Sequence, residues 1–105
     1  MTTNVSKKSL NYLESIIGKR PTLGDFILAI RQGEEMSQVS FSKLLGISRH
    51  NLCDIEHNRR FVSPKMAAQF ANKLGYSEKQ FVRLCLQDML NREGLSLLVD
   101  IEDAA

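Results

Sequence analysis

The stretch MSQVSFSKLLGISRHNLCDIEHNRR, residues 36–60, decides the fold. It contains two short helical patterns, one opening at Ser37 and one at Ser48, and only Gly46 and Ile47 lie between them. A serine at a helix start accepts hydrogen bonds from free amide groups, and glycine adopts the positive φ with which many helices end. The two helices must therefore cross steeply through a tight turn.

Start and stop signals of the same kind divide the rest of the chain into short helices. They bound helices over residues 9–18, 22–33, 63–75 and 77–94, in which apolar residues recur at spacings of three and four. Together with the two helices of the quoted stretch, they predict an all-α fold. We expect a compact bundle of five to six short helices built around a helix-turn-helix.

Length and composition fit a single globular domain, because 105 residues with 43% hydrophobic content bury a core of modest size. We expect an N-terminal helical extension at 1–20, a core at 21–76, and a C-terminal helix and strand at 77–105. The longest apolar run, Phe26 to Ile30, is far shorter than the roughly 20 residues of a membrane-spanning helix, and no secretory signal opens the chain. We therefore expect a cytoplasmic protein with no membrane partner.

Charge and cysteine content narrow the classes of partner. The net charge is +2, and residues 1–60 carry nine Lys and Arg against six Asp and Glu. This mild basic bias indicates nucleic acid only if the chain also has an element that reads it. Cys53 and Cys85 lie far apart without a CxxC pair, which predicts free thiols rather than a disulfide scaffold or a redox motif.

The last stretch, LSLLVDIED at residues 95–103, changes period, because its apolar residues alternate as in a β-strand. The rest of the chain supplies no obvious second strand. We therefore expect a short C-terminal β-strand that pairs between the subunits of a homodimer, with a frayed tail as the alternative. Apolar residues of the last helix complete the predicted interface. Its residues are Leu86, Met89, Leu90, Leu95, Leu97, Val99 and Ile101.

The quoted stretch resembles the Cro/lambda-repressor-like (XRE-type) DNA-binding family, and the resemblance extends over about Leu23 to Leu74. Asn58 replaces the family's usual glycine, but asparagine also tolerates a positive φ. The resemblance implies a sequence-specific transcriptional repressor that binds a palindromic operator in double-stranded DNA as a homodimer. We expect no cofactor. The residues that carry the resemblance are Gln38, Gly46, Ser48, Arg49, Ile55 and Glu56.

The second helix of the motif has two faces when its residues are rotated by about 100° each. Leu52 and Ile55 point inward, and polar residues form the outward arc. On DNA, the guanidinium of Arg49 matches O6 and N7 of guanine, and the carboxylate of Asp54 matches N4 of cytosine. The predicted base-reading residues are Arg49, His50, Asn51 and Asp54.

Residues at the two helix starts and after the second helix are predicted to contact DNA phosphates. Amide groups at a helix start favour a phosphate, and in the resembled family the following loop runs along the DNA backbone. A solvated loop is the alternative for the two arginines there. The predicted phosphate contacts are Ser37, Gln38, Lys43, Ser48, Arg59 and Arg60.

The resemblance also implies a scaffold ion pair. The family often pairs an arginine in the helix before the motif with the glutamate that ends the second helix. Arg31 and Glu56 occupy the matching positions in this sequence. We therefore expect them to fix the second helix on the scaffold, and we expect the loss of either partner to strand a buried charge.

Two other interpretations use the same residues. His50, Cys53 and His57 lie at offsets of three and seven, and imidazole and thiolate are zinc ligands. No second Cys/His pair follows at zinc-finger spacing, so we predict no metal, with an idle solvated helix face as a further alternative. An enzyme using Cys53 or Cys85 with a histidine needs a positioned base and an oxyanion site. No Gly-rich phosphate loop or carboxylate cluster accompanies them, so we predict no catalytic residue.

The layout of the chain, with extra segments at both ends of the motif and a C-terminal strand, looks like that of HipB-like antitoxins. Such proteins repress their own operon and bind a toxin, so a cognate toxin is a predicted partner. A stand-alone repressor, phage-like or controlling restriction genes, is one alternative. A protein-interaction module that has lost DNA binding is another. No toxin-binding residue follows from the sequence, because outside the motif the resemblance is one of layout.

Overall fold

The computed structural model describes residues 21–104, and over this range the chain folds into five α-helices and no β-strand. The all-α prediction is confirmed for this range, while the predicted helix over residues 9–18 and the extension 1–20 lie outside it. None of these helices is both long and apolar enough to cross a membrane. The helices are α1 (Leu23–Gly33), α2 (Gln38–Leu45), α3 (Arg49–Glu56), α4 (Pro64–Leu74) and α5 (Glu78–Arg92).

Each helix begins at the side-chain cap that the sequence predicted. Ser37 Oγ accepts the amide of Ser40 at 3.1 Å, and Ser48 Oγ accepts the amide of Asn51 at 3.0 Å. Such a cap stabilises a helix by about 1 kcal/mol because it satisfies an amide that has no partner within the helix. The remaining caps are Thr22, Ser63 and Ser77.

The turn between α2 and α3 has the predicted geometry. Gly46 ends α2 with a φ of 77°, and the amide of Ile47 donates to the carbonyl of Ser42 at 3.0 Å. Asn58, just after α3, has a φ of 60°, which is the conformation expected of a residue in the family's glycine position. At the end of α1 the positive φ falls on Glu35 rather than on the predicted stop Gly33.

The chain divides into two compact units with the boundary after Phe61, and the predicted limits at 21–76 and 77–105 stay predictions. In the first unit α3 contacts both α1 and α2. The backbones of α1 and α3 approach so closely that a Cβ atom on Gly24 would overlap the carbonyl oxygen of Ile55. The buried apolar residues of this unit include Leu23, Phe26, Ile27, Ile30, Phe41, Leu45, Leu52 and Ile55.

In the second unit α4 packs against α5. Apolar residues at helical spacing on the two helices are buried, namely Ala67, Phe70, Ala71, Leu74, Phe81 and Leu84. Cys85 is also buried, and its thiol donates to the carbonyl oxygen of Val62 at 3.2 Å. Burial raises the pKa of this thiol, so Cys85 behaves as a core residue.

The predicted β-strand over residues 95–101 is wrong for the single chain, because residues 95–104 form no regular secondary structure. A strand needs a ladder partner, and no second strand exists within residues 21–104. Two backbone groups of the segment bind instead to the side chain of Gln87 on α5. Gln87 Nε2 donates to Leu97 O at 2.7 Å, and Gln87 Oε1 accepts from the amide of Val99 at 2.9 Å.

Candidate nucleic-acid interface

The structure separates the two faces of α3 as the sequence predicted. Leu52 and Ile55 are buried, and they fix the helix from behind. Arg49 and His50 at the start of the helix are exposed, and Asn51 beside them is half-buried. A short helix anchored in this way presents its first turn to a partner, and this is the part of the second helix that enters the major groove in helix-turn-helix proteins.

A chain of polar contacts connects the start of α3 to its end. Arg49 Nη1 donates to Gln38 Oε1 at 3.1 Å, and Gln38 Nε2 donates to Glu56 Oε1 at 2.9 Å. Gln38 stands at the first position of α2. Its carboxamide therefore joins Arg49, the residue predicted to read guanine, to the carboxylate at the other end of the same helix.

Arg31 and Glu56 form the ion pair that the resemblance implied. Arg31 Nε lies 2.6 Å from Glu56 Oε2, and Nη2 donates to Oε1 at 3.1 Å. The Glu56 side chain is only 1% exposed and that of Arg31 is 16% exposed. Arg31 Nη1 also donates to the carbonyl of Met36 at 3.0 Å. This two-point contact fixes the end of α3 on α1, with the carboxylate almost completely removed from water.

Asp54, predicted to accept from cytosine, already has partners within the protein. Its Oδ1 accepts Arg59 Nε at 3.0 Å, and its Oδ2 lies 3.4 Å from His50 Nε2. Its carbonyl oxygen accepts the amides of Arg59 and Arg60 at 2.8 and 3.2 Å. The hydrogen bond that Arg59 donates to the Asp54 carboxylate raises the pKa of Arg59 above its usual value. The position of Asp54 fits a residue that orients its neighbours.

The loop after α3 is fixed by a second set of contacts. The side chain of Asn58 accepts the hydroxyl of Thr22 at 2.6 Å and donates to Asp25 Oδ1 at 3.0 Å. Both partners lie at the start of α1, where they form a capping box. The left-handed residue that turns the chain after α3 is thus fixed to another helix, and Arg59 and Arg60 follow it on the exposed surface.

The remaining predicted phosphate contacts are exposed. The hydroxyls of Ser37 and Ser48 accept amides within their own helix starts, and Lys43 lies on the surface of α2. The structure therefore brings most of the predicted DNA-contacting residues onto α2, α3 and the loop that follows. Gln38 differs from the others because its carboxamide is already engaged on both sides.

Sequence reasoning missed the bridging role of Gln38 and the contacts of Asn58. Gln38 and Glu56 are 18 residues apart, and Thr22 and Asn58 are 36 apart, so no local pattern links them. The available signal was chemical. The glutamine that opens α2 precedes a helix that starts with arginine and ends with glutamate. Its carboxamide has a carbonyl oxygen that can accept from the arginine and an NH₂ group that can donate to the glutamate.

The residues considered for metal binding do not assemble. Cys53 Sγ lies 3.6 Å from His57 Nδ1, and that nitrogen also lies 2.8 Å from the carbonyl of Cys53. His50 contacts Asp54. Within the part of the chain that the structure describes, no three His, Cys, Asp or Glu side chains are grouped so that they could hold a metal ion. His50 lies on the exposed surface of α3, and His57 is the exposed residue that caps its end.

Comparison with known families agrees with this geometry. Residues 24–85, more than half of the chain, match the family described as a helix-turn-helix domain. The chain belongs to this family. A comparison with curated proteins found no match, and neither did a comparison with solved structures. The helix-turn-helix domain indicates a DNA-binding regulator whose partner is DNA, in line with the XRE-type resemblance of residues 36–60.

Proposed function

We propose that this helix-turn-helix protein is a transcriptional repressor that binds a palindromic operator in double-stranded DNA as a homodimer. The observation that carries the proposal is the contact chain from Arg31 through Glu56 and Gln38 to Arg49. Each bond fixes the next side chain, so the exposed guanidinium at the start of α3 is held in place before DNA arrives. Such preorganisation lowers the ordering cost of binding.

In this proposal, side chains in the first turn of α3 contact the bases. Arg49 donates one of its five N–H groups to Gln38. The other four include enough donors for a two-point contact with O6 and N7 of guanine. His50 and Asn51 lie in the same turn and offer both donors and acceptors to neighbouring bases. Lys43, Arg59 and Arg60 supply positive charge for the DNA backbone, a contribution independent of sequence.

A single module of this size reads only a few base pairs, which is why we propose a dimer. Two copies reading half-sites about 34 Å apart would double the contact area and favour a two-fold symmetric operator. The second unit offers exposed apolar residues for association. Among the predicted interface residues, Met89, Leu95 and Leu97 are exposed, whereas Leu86, Leu90, Val99 and Ile101 are half-buried.

Two finer parts of the proposal have different support. We propose a cytoplasmic location, because a repressor must be in the same compartment as its operator. The antitoxin role and its cognate toxin stay predictions from the layout of the chain. The module without DNA binding is disfavoured, since such a module would not need an exposed arginine held by a three-residue relay.

Selection from a random duplex library followed by binding measurements tests the proposal. The full chain should enrich a two-fold symmetric sequence. Arg49→Ala removes a two-point base contact of about 1 to 3 kcal/mol from each half-site, so it should weaken binding of the dimer to that sequence by about 30-fold or more and relax the preference at one base pair in each half-site. Lys65→Ala, which removes an exposed positive charge from α4, is the matched control. Enrichment of no sequence would contradict the proposal.

A further inference from the structure

Asn58 belongs to a closed ring of hydrogen bonds at the start of α1. Its Oδ1 accepts the hydroxyl of Thr22 at 2.6 Å, and its Nδ2 donates to Asp25 Oδ1 at 3.0 Å. The capping box completes the ring, because the Asp25 amide donates to Thr22 Oγ1 and the Thr22 amide donates to Asp25 Oδ2, both at 3.0 Å. Both ends of the Asn58 carboxamide are therefore bound to α1.

The ring favours asparagine over the other residues that tolerate the backbone conformation at position 58. Asn58 has a φ of 60°, a value that glycine, asparagine and aspartate adopt most readily. Glycine has no side chain to reach α1, and an ionised aspartate has no hydrogen to donate to the Asp25 carboxylate. Gly24 leaves the space that the carboxamide needs, since a Cβ atom there would lie 2.8 Å from Asn58 Oδ1. The Asn58 side chain thus makes contacts that the glycine of the resembled family cannot make.

The ring lies directly before the two arginines that follow α3. Asn58 is half-buried, whereas Arg59 and Arg60 are exposed. The amides of both arginines donate to the carbonyl oxygen of Asp54, at 2.8 and 3.2 Å. The loop is therefore bound to α3 through its backbone and to α1 through Asn58. Because the carboxamide is neutral, the Asn58 side chain affects the position of the two guanidinium groups rather than the charge of this surface.

We propose that Asn58 is a positioning residue for DNA binding, which fixes the loop carrying Arg59 and Arg60 before DNA arrives. The proposal rests on the proposed function and adds to it a link between the first turn of α1 and the contacts with DNA phosphates. A loop that is already ordered loses less conformational entropy on binding. Phosphate contacts carry no sequence information, so the ordered loop strengthens binding to every operator sequence by the same factor.

Asn58→Gly tests the proposal in the full chain, because it keeps the positive φ and removes only the side chain. Hydrogen exchange measured by NMR should be faster at the amides of Arg59 and Arg60 in the free variant. Affinity for the selected operator should fall about fivefold in each subunit, or about 25-fold for the dimer, and by the same factor on operators altered at single base pairs. Asn72→Ala, which removes a side-chain hydrogen bond to Glu78 in the second unit, is the matched control and should change neither quantity.

A swap of donor and acceptor within the ring separates positioning from a general loss of stability. Asn58→Asp sets two carboxylates against each other and should lower the affinity further. Adding Asp25→Asn to this variant gives position 25 an NH₂ group that can donate to the new carboxylate, while its carbonyl oxygen can still accept the Thr22 amide. The double variant should recover most of the affinity and the slow exchange of the loop amides. Calorimetry checks that all variants are folded at the temperature of the binding measurements.

Three results overturn the role of Asn58 while the proposed function stands. The first is an Asn58→Gly variant that binds the operator as tightly as the wild-type chain. The second is a double variant that binds no better than Asn58→Asp. The third is a loss of affinity confined to one base pair in each half-site, which would make Asn58 part of base reading. A wild-type chain that enriches no DNA sequence overturns the proposed function and, with it, the role of Asn58 on DNA.

Discussion

Asp54 fixes Arg59 both by its side chain and by its backbone. The carboxylate accepts Arg59 Nε at 3.0 Å, and the carbonyl oxygen accepts the Arg59 amide at 2.8 Å. Arg59 lies beyond the end of α3, yet these bonds return its side chain to the surface of that helix. A loop arginine whose side chain is more than half exposed is thus held against the surface of α3.

Asp54→Ala should weaken operator binding severalfold without relaxing the preference at any base pair. Removing a negative charge near DNA would by itself strengthen binding, so a loss of affinity reports the lost orientation of Arg59. A double-mutant cycle with Arg59→Ala measures this coupling by fluorescence anisotropy. If Asp54→Ala instead relaxes one position from cytosine to any base, Asp54 reads that base directly.

Glu56→Ala should destabilise the protein as well as weaken DNA binding. The substitution leaves the Arg31 guanidinium without its carboxylate partner, and breaking a buried ion pair costs about 3 to 5 kcal/mol. Differential scanning calorimetry should show a Tm lowered by at least about 10 °C, since 1 kcal/mol corresponds to several degrees in a domain of this size. Glu34→Ala removes an exposed carboxylate at the end of α1 and serves as the control. An unchanged Tm would exclude a scaffold role for the pair.

Gln38→Ala should weaken operator binding while leaving the stability of the fold nearly unchanged. It removes the link between Glu56 and Arg49 but leaves both contacts of Arg31 with Glu56 in place. A lost hydrogen bond of this kind costs about 1 kcal/mol in each subunit, so the affinity of the dimer for its operator should fall about 30-fold, mainly through the base pair that Arg49 reads in each half-site. Binding titrations on operators altered at single base pairs measure how much affinity the variant loses at each position. A uniform loss across all operators would indicate that Gln38 contacts phosphate directly.

Gly24→Ala should destabilise the first unit although alanine is the better helix former. The added Cβ would overlap the carbonyl oxygen of Ile55 and lie 2.8 Å from Asn58 Oδ1, so α1 and α3 must move apart. Overpacking of this kind costs typically about 1 to 3 kcal/mol. Gly33→Ala is the control at the other end of α1, where no atom lies within 4 Å of the new Cβ. The urea concentration at the midpoint of unfolding should be lower for Gly24→Ala than for Gly33→Ala. Equal midpoints for the two variants would contradict the close approach of α1 and α3.

The parts of the fold that follow from local chemistry were predictable from the sequence. Ser37, Ser48 and Gly46 act within four residues of themselves, so the bounds of α2 and α3 and the turn between them could be placed. The inward position of Leu52 and Ile55 followed from helical periodicity. These features explain why the exposed and buried faces of α3 follow from the sequence alone, while its role in reading DNA stays a prediction.

The parts that depend on the path of the chain after a helix ends were not predictable, because no periodic pattern specifies that path. Asp54 has the correct chemistry for a cytosine contact, and only the path of the chain through Asn58 shows that Arg59 occupies its carboxylate. Alternation over residues 95–101 indicated an extended segment, but periodicity does not specify a partner. The side chain of Gln87 took the place of the expected strand.

The two cysteines should react very differently with a thiol reagent. Cys53 is partly exposed on α3, whereas Cys85 is buried and donates to Val62 O. Burial raises the pKa of Cys85 above its usual range, so the thiolate that attacks the reagent is scarce at pH 8. We expect one fast equivalent in the native protein and a second only on unfolding in urea. Cys53→Ser should remove the fast phase, and a fast phase that survives in this variant would show that Cys85 is accessible.

Because the folded state favours the protonated thiol of Cys85, the stability that this thiol contributes should be present at neutral pH and decline as pH rises above about 8.5.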